Sequence, residues 1–255
     1  MLKKKSLGQH FLHSRHYLEA VADAAAMQKG ETVVEIGPGE GALTAVLLER
    51  GAKVIALEKD ARLIGLLREK FKDEALEVIE GDALDYEPTF KTYKLVGNVP
   101  YYITGALFKK FLSSALQPSM LVFLIQKEVA ERIARHGPNN KKEKESILSL
   151  SVKAYGTPAY IKSVPAGAFV PPPKVDSAIL RVSDVSRGNF KNAEQEERFF
   201  ELVRAGFAQK RKLLASNLKE LLGEDCVALL QDAGIGAKAR AEDVPLEAWL
   251  KLAQT

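Results

Sequence analysis

Val33-Val34-Glu35-Ile36-Gly37-Pro38-Gly39-Glu40-Gly41 carries an apolar run straight into three glycines set at alternate positions. A chain without Cβ atoms turns tightly there and lets a ligand approach the backbone, which marks the carboxyl end of the first strand of a ligand-binding sheet. Gly37, Gly39 and Ala42 also satisfy the G-x-G-x-x-G/A spacing. The turn by itself therefore suits a nicotinamide dinucleotide and S-adenosylmethionine equally well.

The flanking residues repeat one pattern. A strand at 32 to 36 leads to a helix over 41 to 50, and a strand at 53 to 58 leads to a helix over 60 to 71. Further strands are expected at 76 to 80, 94 to 97 and 120 to 126, with a helix over 103 to 113 before the last. Such alternation builds βαβ units into a doubly wound parallel sheet with helices on both faces, so the fold class is α/β, Rossmann-like. Residues 137 to 146 are polar and turn-rich and predict an exposed loop. A helix over 146 to 155 follows, then strands at 158 to 164 and 177 to 182 around a proline-rich segment. Past Val182 a polar linker opens onto helical periodicity over 194 to 208, 210 to 222, 224 to 233 and 243 to 253. The expected organisation is an α/β catalytic domain over 1–185 and a smaller all-α domain over 186–255.

A chain of 255 residues, 46% hydrophobic and 27% charged, can bury a full core in that larger domain. The start is basic but lacks an apolar segment behind it, and Met120 to Ile125 is far too short to span a membrane, so a cytoplasmic protein is expected. Cys226 is the sole cysteine, which excludes an internal disulfide and a cysteine-based zinc site; no metal is expected. The net charge of +4 is mild, but basic residues cluster at Lys3 to Lys5, at Lys141, Lys142 and Lys144, and at Lys210, Arg211 and Lys212. Each cluster suits either a solvated face or an anionic partner.

Glu58 ends the second strand 21 residues after Gly37, where a carboxylate can accept from both hydroxyls of a ribose. Asp82, after the third strand, lies at the same edge and can accept from an adenine amino group. Glu35 can orient the turn or the cofactor's amino end. The most specific signal is Asn98-Val99-Pro100-Tyr101, directly after the fourth strand. An exocyclic adenine nitrogen is a poor nucleophile because its lone pair is delocalised into the ring. Acceptors supplied by the Asn98 amide oxygen and a carbonyl near Val99 or Pro100 would take its two hydrogens and aim the lone pair at an electrophilic methyl. Pro100 stiffens the turn, and Tyr101 offers a face for a base flipped from its stack. Phe11 and Phe169 suit either a base pocket or ordinary packing.

Five ordered motifs then carry a resemblance: Ser6 to Leu12, Glu35 to Gly41, Asn98 to Ile103, Phe169 to Ser177 and Phe207 to Leu214. The chain resembles the ribosomal RNA adenine N6,N6-dimethyltransferases, most of all the small-subunit (16S) enzymes of bacteria. The resemblance implies S-adenosylmethionine as cofactor and two adjacent adenines in a 3′-terminal hairpin loop of 16S RNA, modified late in small-subunit assembly. It implies cofactor contacts at His10, Leu12, Gly37, Gly39, Glu58, Asp82 and Asn98, and a catalytic set of Asn98, Pro100, Tyr101 and Phe169, with Phe169 as a second stacking face. It also implies RNA docking through Lys210, Arg211 and Lys212, and a monomer is expected. Histidine at His10 replaces the asparagine usual in bacterial members, and Val99 stands where leucine is commoner.

Rival readings fit less of the chain. A large-subunit (23S) adenine methylase shares the Asn98–Tyr101 motif but not the proline run before Lys174. A non-catalytic RNA-binding or transcription factor on this scaffold would not need Asn98, Pro100 and Tyr101 intact. A nicotinamide oxidoreductase leaves the Asn98 motif unexplained, and a cytosine C5 methylase needs a cysteine nucleophile that Cys226, in the tail, does not supply.

Overall fold

A computed structural model describes residues 10–134 and 144–255. The basic cluster Lys3 to Lys5, the first residues of the 6–12 motif, Lys141, Lys142 and most of the expected 137–146 loop lie outside the described residues. The elements in chain order are β1 (Phe11–Leu12), α1 (Arg15–Ala24), β2 (Thr32–Ile36), α2 (Ala42–Glu49), β3 (Lys53–Glu58), α3 (Ala61–Lys70), β4 (Leu76–Glu80), β5 (Lys94–Asn98), α4 (Thr104–Leu112), β6 (Met120–Gln126) and α5 (Lys127–Ala134). They continue with α6 (Ile147–Tyr155), β7 (Thr157–Val164), β8 (Phe169–Val170), β9 (Ser177–Ser183), α7 (Ala193–Gly206), α8 (Leu214–Leu222), α9 (Cys226–Asp232) and α10 (Leu246–Leu252).

Seven strands form one sheet in the order β4-β3-β2-β5-β6-β9-β7. The five from β4 to β6 are parallel, while β9 runs antiparallel to β6 and β7 antiparallel to β9. The central strands are buried on both faces, which is why Val33, Val34 and Ile36 are all apolar instead of alternating with polar residues. Strand order reverses between β2 and β5, so the loops leaving them part and open a crevice at the carboxyl edge. Gly97 lets these two strands lie close, because a Cβ there would stand 2.8 Å from the Ile36 carbonyl. In the turn after β2, Gly37, Gly39 and Gly41 have φ of +65°, +60° and +78°, a region that penalises any side chain.

A two-stranded ribbon pairs β1 with β8, Phe11 opposite Val170 and Leu12 opposite Phe169. Leu12 and Phe169 are buried in the core that α1 and α2 build over the sheet. The first and fourth recognised motifs, far apart in sequence, are thus held together by main-chain pairing.

Two compact units emerge, one of residues 1–130 and 157–185, the other of 131–156 and 186–255. The expected division at 185/186 assigned 131–156 to the larger domain, but the described residues of that stretch, 131–134 and 144–156, group with the helical unit. The reason lies in α6, whose Tyr155 ring packs against Phe190 and Phe200 and whose hydroxyl donates to Glu196, itself paired with Arg187. Ser146 caps α6 by accepting from the Ser149 N–H. Trp249 is the buried centre of the unit, seated on Gly206, where a Cβ would lie 2.4 Å from the indole ring. The helix expected over 210–222 starts only at Leu214, so Lys210, Arg211 and Lys212 sit on the turn between α7 and α8.

Candidate active site

The crevice at the switch point is a cavity whose walls come from the ends of β2, β3, β4 and β5, from His10 and Phe11, and from the turn Asn98–Ile103. Glu58, at the end of β3, is 5% exposed, and its carboxylate accepts from three main-chain N–H groups: Gly39 at 3.2 Å, Lys59 at 2.9 Å and Asp60 at 2.9 Å. Burial pushes its carboxyl above the ordinary value while those three donors pull the other way. Glu58 is thereby fixed against the glycine turn. Asp82 receives the Leu84 N–H at 3.0 Å and the Lys59 ammonium at 2.8 Å, and the lysine holds its carboxyl below the usual range. Lys59 escaped the sequence reading because nothing in its spacing ties it to a position 23 residues on.

A smaller cavity adjoins the first, sharing Phe11, Gly37 and Asn98 and adding Leu12, Glu35 and Pro38. Phe11 stands between the two, its ring against Gly39, where a Cβ would meet it at 2.6 Å. Glu35 is 1% exposed and accepts from the Thr44 hydroxyl at 2.7 Å. Desolvation, eased by the Thr44 bond and aggravated by the charge of Glu58, pushes its carboxyl up to about 7. Leu12 contributes to the smaller cavity but its side chain is mostly spent on the core.

Asn98 closes β5 and its Nδ2 donates to the His10 carbonyl at 2.7 Å. A carbonyl can only accept, so this bond fixes which end of the amide is nitrogen and leaves Oδ1 turned to other donors. His10 is held in turn: its Nδ1 donates to the Pro171 carbonyl at 2.8 Å, and its ring stacks on Tyr101 with centroids 6.2 Å apart and planes 23° from parallel. Tyr101 begins a 3-10 turn over Tyr101–Ile103, with Pro100 as the residue before it in extended conformation (φ −57°, ψ 133°). The Tyr101 hydroxyl pairs with the buried Ser177 hydroxyl at 2.7 Å, and burial raises its pKa. Three motifs, at 10–12, 98–103 and 169–177, are thus joined by specific bonds. Ser177 lay within a quoted motif but had no role in the sequence reading, since a lone hydroxyl carries no spacing signal.

Of the residues expected at the site, His10, Gly37, Gly39, Glu58, Asp82, Asn98, Pro100 and Tyr101 meet around the larger cavity, and Leu12 lines the smaller one. Phe169 does not join them. It is 2% exposed, in the core beneath β1, because pairing with Leu12 turns its ring inward. Lys210, Arg211 and Lys212 are exposed on the helical unit.

The strand order, with the glycine turn and the Asn98 turn facing each other across the switch point, defines a Rossmann-like methyltransferase. Solved structures agree. The chain superposes on the 23S rRNA methyltransferase ErmE with a TM-score of 0.79 at 29% identity, covering 96% of this chain and 98% of that one. It superposes on a dimethyladenosine transferase from Plasmodium falciparum with a TM-score of 0.80 at 28% identity, covering 95% and 96%. The family model for ribosomal RNA adenine dimethylases matches residues 1–255, and the chain belongs to that family. Among curated relatives, the ribosomal RNA small subunit methyltransferase A of Dehalococcoides mccartyi is 42% identical, with 98% of this chain and 87% of the relative covered. Its namesake in Thermosynechococcus vestitus is 39% identical, covering 98% and 96%.

Proposed function

We propose that this chain uses S-adenosylmethionine to dimethylate N6 of two adjacent adenines in the 3′-terminal hairpin loop of 16S ribosomal RNA, within the small subunit and late in its assembly. The observation that carries the chemistry is the Asn98–His10 bond, which commits the amide nitrogen and presents the oxygen as an acceptor. An acceptor at the end of β5 takes one N6 hydrogen and favours the geometry in which the nitrogen lone pair is directed rather than delocalised. The enzyme's part is alignment and fixed dipoles, with no side chain needed to remove the proton beforehand. Pro100 and the 3-10 turn set where the target base lies, and Tyr101, held by Ser177 and His10, supplies the face against it.

The residues present fit the cofactor. Glu58 lines the crevice with a carboxylate that would accept from ribose hydroxyls, next to glycines that leave room for a ligand chain, and Asp82 lines the same cavity as an acceptor for an adenine amino group. Bound there, S-adenosylmethionine supplies a methyl group made electrophilic by its sulfonium. Leu12, Gly37, Gly39 and His10 line the two cavities, and Glu35 lines the smaller one, where a cationic amino end would favour its ionised form. Phe169 serves as a second stacking face only if the β1–β8 ribbon opens. Lys210, Arg211 and Lys212 dock the RNA, and the protein works as a monomer in the cytoplasm. No described helix is long and apolar enough to cross a membrane.

The test is transfer of labelled methyl from S-adenosylmethionine to undermethylated small subunits, with large subunits and free RNA in parallel, followed by nucleoside analysis. Dimethyladenosine on the small subunit alone is the expected result. Label on large-subunit RNA would move the substrate to that of ErmE, and no transfer to any RNA would leave a binding scaffold.

A further inference from the structure

The neighbouring aromatics Tyr101 and Tyr102 are divided by the turn they share. A 3-10 helix has three residues per turn, so successive side chains leave it about 120° apart. Tyr101 is half-buried and tied to His10 and Ser177. Tyr102 borders the same cavity but keeps 72% of its surface in water, more than any other large apolar residue described. Its hydroxyl makes no hydrogen bond among the described residues, and its ring is not among the buried residues of the core. A large ring left in water at the mouth of a binding cavity contributes nothing to folding, whereas tyrosine with one apolar face is the side chain most suited to a contact surface.

We propose that Tyr102 is a second stacking platform, at the mouth of the cavity, for the base next to the one held inside. The inference rests on the reading of the chain as an RNA adenine methyltransferase. Drawing one base out of its stack strips its neighbour of a stacking partner, and a ring at the mouth replaces that partner whatever the base, because every base offers a π-face. Where two adjacent adenines are both substrates, the neighbour on Tyr102 is the other target. Tyr102 is a positioning residue: it touches the strand beside the reacting nucleotide and sets how that strand approaches Asn98 and Tyr101.

The experiment uses the full-length wild-type protein and the variants Tyr102→Ala, Tyr102→Phe and Tyr102→Trp. KM is measured separately for undermethylated small subunits and for S-adenosylmethionine, and binding is followed on an RNA hairpin carrying 2-aminopurine beside the target adenine. Tyr102→Ala should raise KM for RNA about tenfold or more, leave KM for S-adenosylmethionine and the melting temperature as in the wild type, and lose the quenching of 2-aminopurine. Tyr102→Phe and Tyr102→Trp should restore both RNA readouts, since they keep a stacking face. Wild-type KM and quenching in Tyr102→Ala would overturn the platform alone, and so would an effect confined to the cofactor KM or to melting. A wild-type protein that methylates no ribosomal RNA would instead overturn the functional reading on which the platform rests.

Discussion

Asn98 does two jobs with one amide, since its nitrogen anchors the His10 carbonyl while its oxygen is left for the substrate. Asn98→Ala should lower single-turnover methyl transfer by about 10²–10³-fold, the cost of deleting one aligned dipole, while calorimetry finds cofactor affinity only partly weakened. Near-normal transfer in that variant would remove the amide from the mechanism. Glu35 makes a second prediction, about pH. Its carboxyl rises from 4.5 to about 7 on burial, so the native state favours the protonated acid. The stability it contributes is complete below about 4.5 and is lost as the pH climbs through 7. Glu35→Gln keeps an acceptor for Thr44 without a charge to bury. Urea melts should find it close to the wild type at pH 5 and more stable at pH 8, by an amount on the order of 3 kcal/mol. Equal stabilities at pH 8 would show that the buried charge is compensated in the native state.

The elements that place these residues depend on one close approach, β5 against β2. Gly97→Ala would set a methyl group 2.8 Å from the Ile36 carbonyl and 3.0 Å from Val99. Backbone cannot give way as a side-chain tip can, so the variant should lose about 1–3 kcal/mol, seen as a lowered melting temperature, and lose activity through displaced Asn98. An unchanged melting temperature would mean that the strands have slack. The elements also show what a sequence discloses. The strands at 32–36, 53–58 and 120–126 were legible to the residue because burial on both faces leaves mostly apolar runs, and the edge strand at 76–80 because apolar Leu76, Val78 and Ile79 stand between polar flanks. The ribbon of β1 and β8 was not, since two-residue strands have no period; nor was α1, whose start Ser14 makes no side-chain capping bond. The Lys210–Lys212 stretch fell within a helical periodicity, yet Lys212 N–H bonds back to Gln209 in a turn. In the site, positions fixed by motif spacing were readable, whereas Lys59 on Asp82, Ser177 on Tyr101 and Pro171 on His10 needed the chain to be folded first. The inward ring of Phe169 was hidden for the same reason, because its direction follows from pairing with Leu12.

At the scale of the whole molecule the net charge of +4 says little, and what matters is which cations are already committed. Lys144, from the second basic cluster, is spent on Glu242 and Asp243, and Lys153 on Glu145. Lys59 is spent on Asp82 and Lys94 on Glu31. Lys210, Arg211 and Lys212 are all exposed, on consecutive positions of one turn, and none is in an ion pair among the described residues. A turn of this kind displays three charges to an extended anion without first breaking an internal pair. Each phosphate it neutralises releases condensed counterions, which makes affinity depend on salt. Replacing all three by alanine should therefore weaken RNA binding most at low salt and reduce the slope of log K against log salt by about 2, at roughly 0.7 per phosphate for single strands. The exposed positions make no buried contact, so the melting temperature should hold, and methyl transfer at saturating RNA should fall far less than kcat/KM. A slope equal to that of the wild type would mean that the RNA backbone runs over another face, and the cations bordering the cavity would then be the next to test.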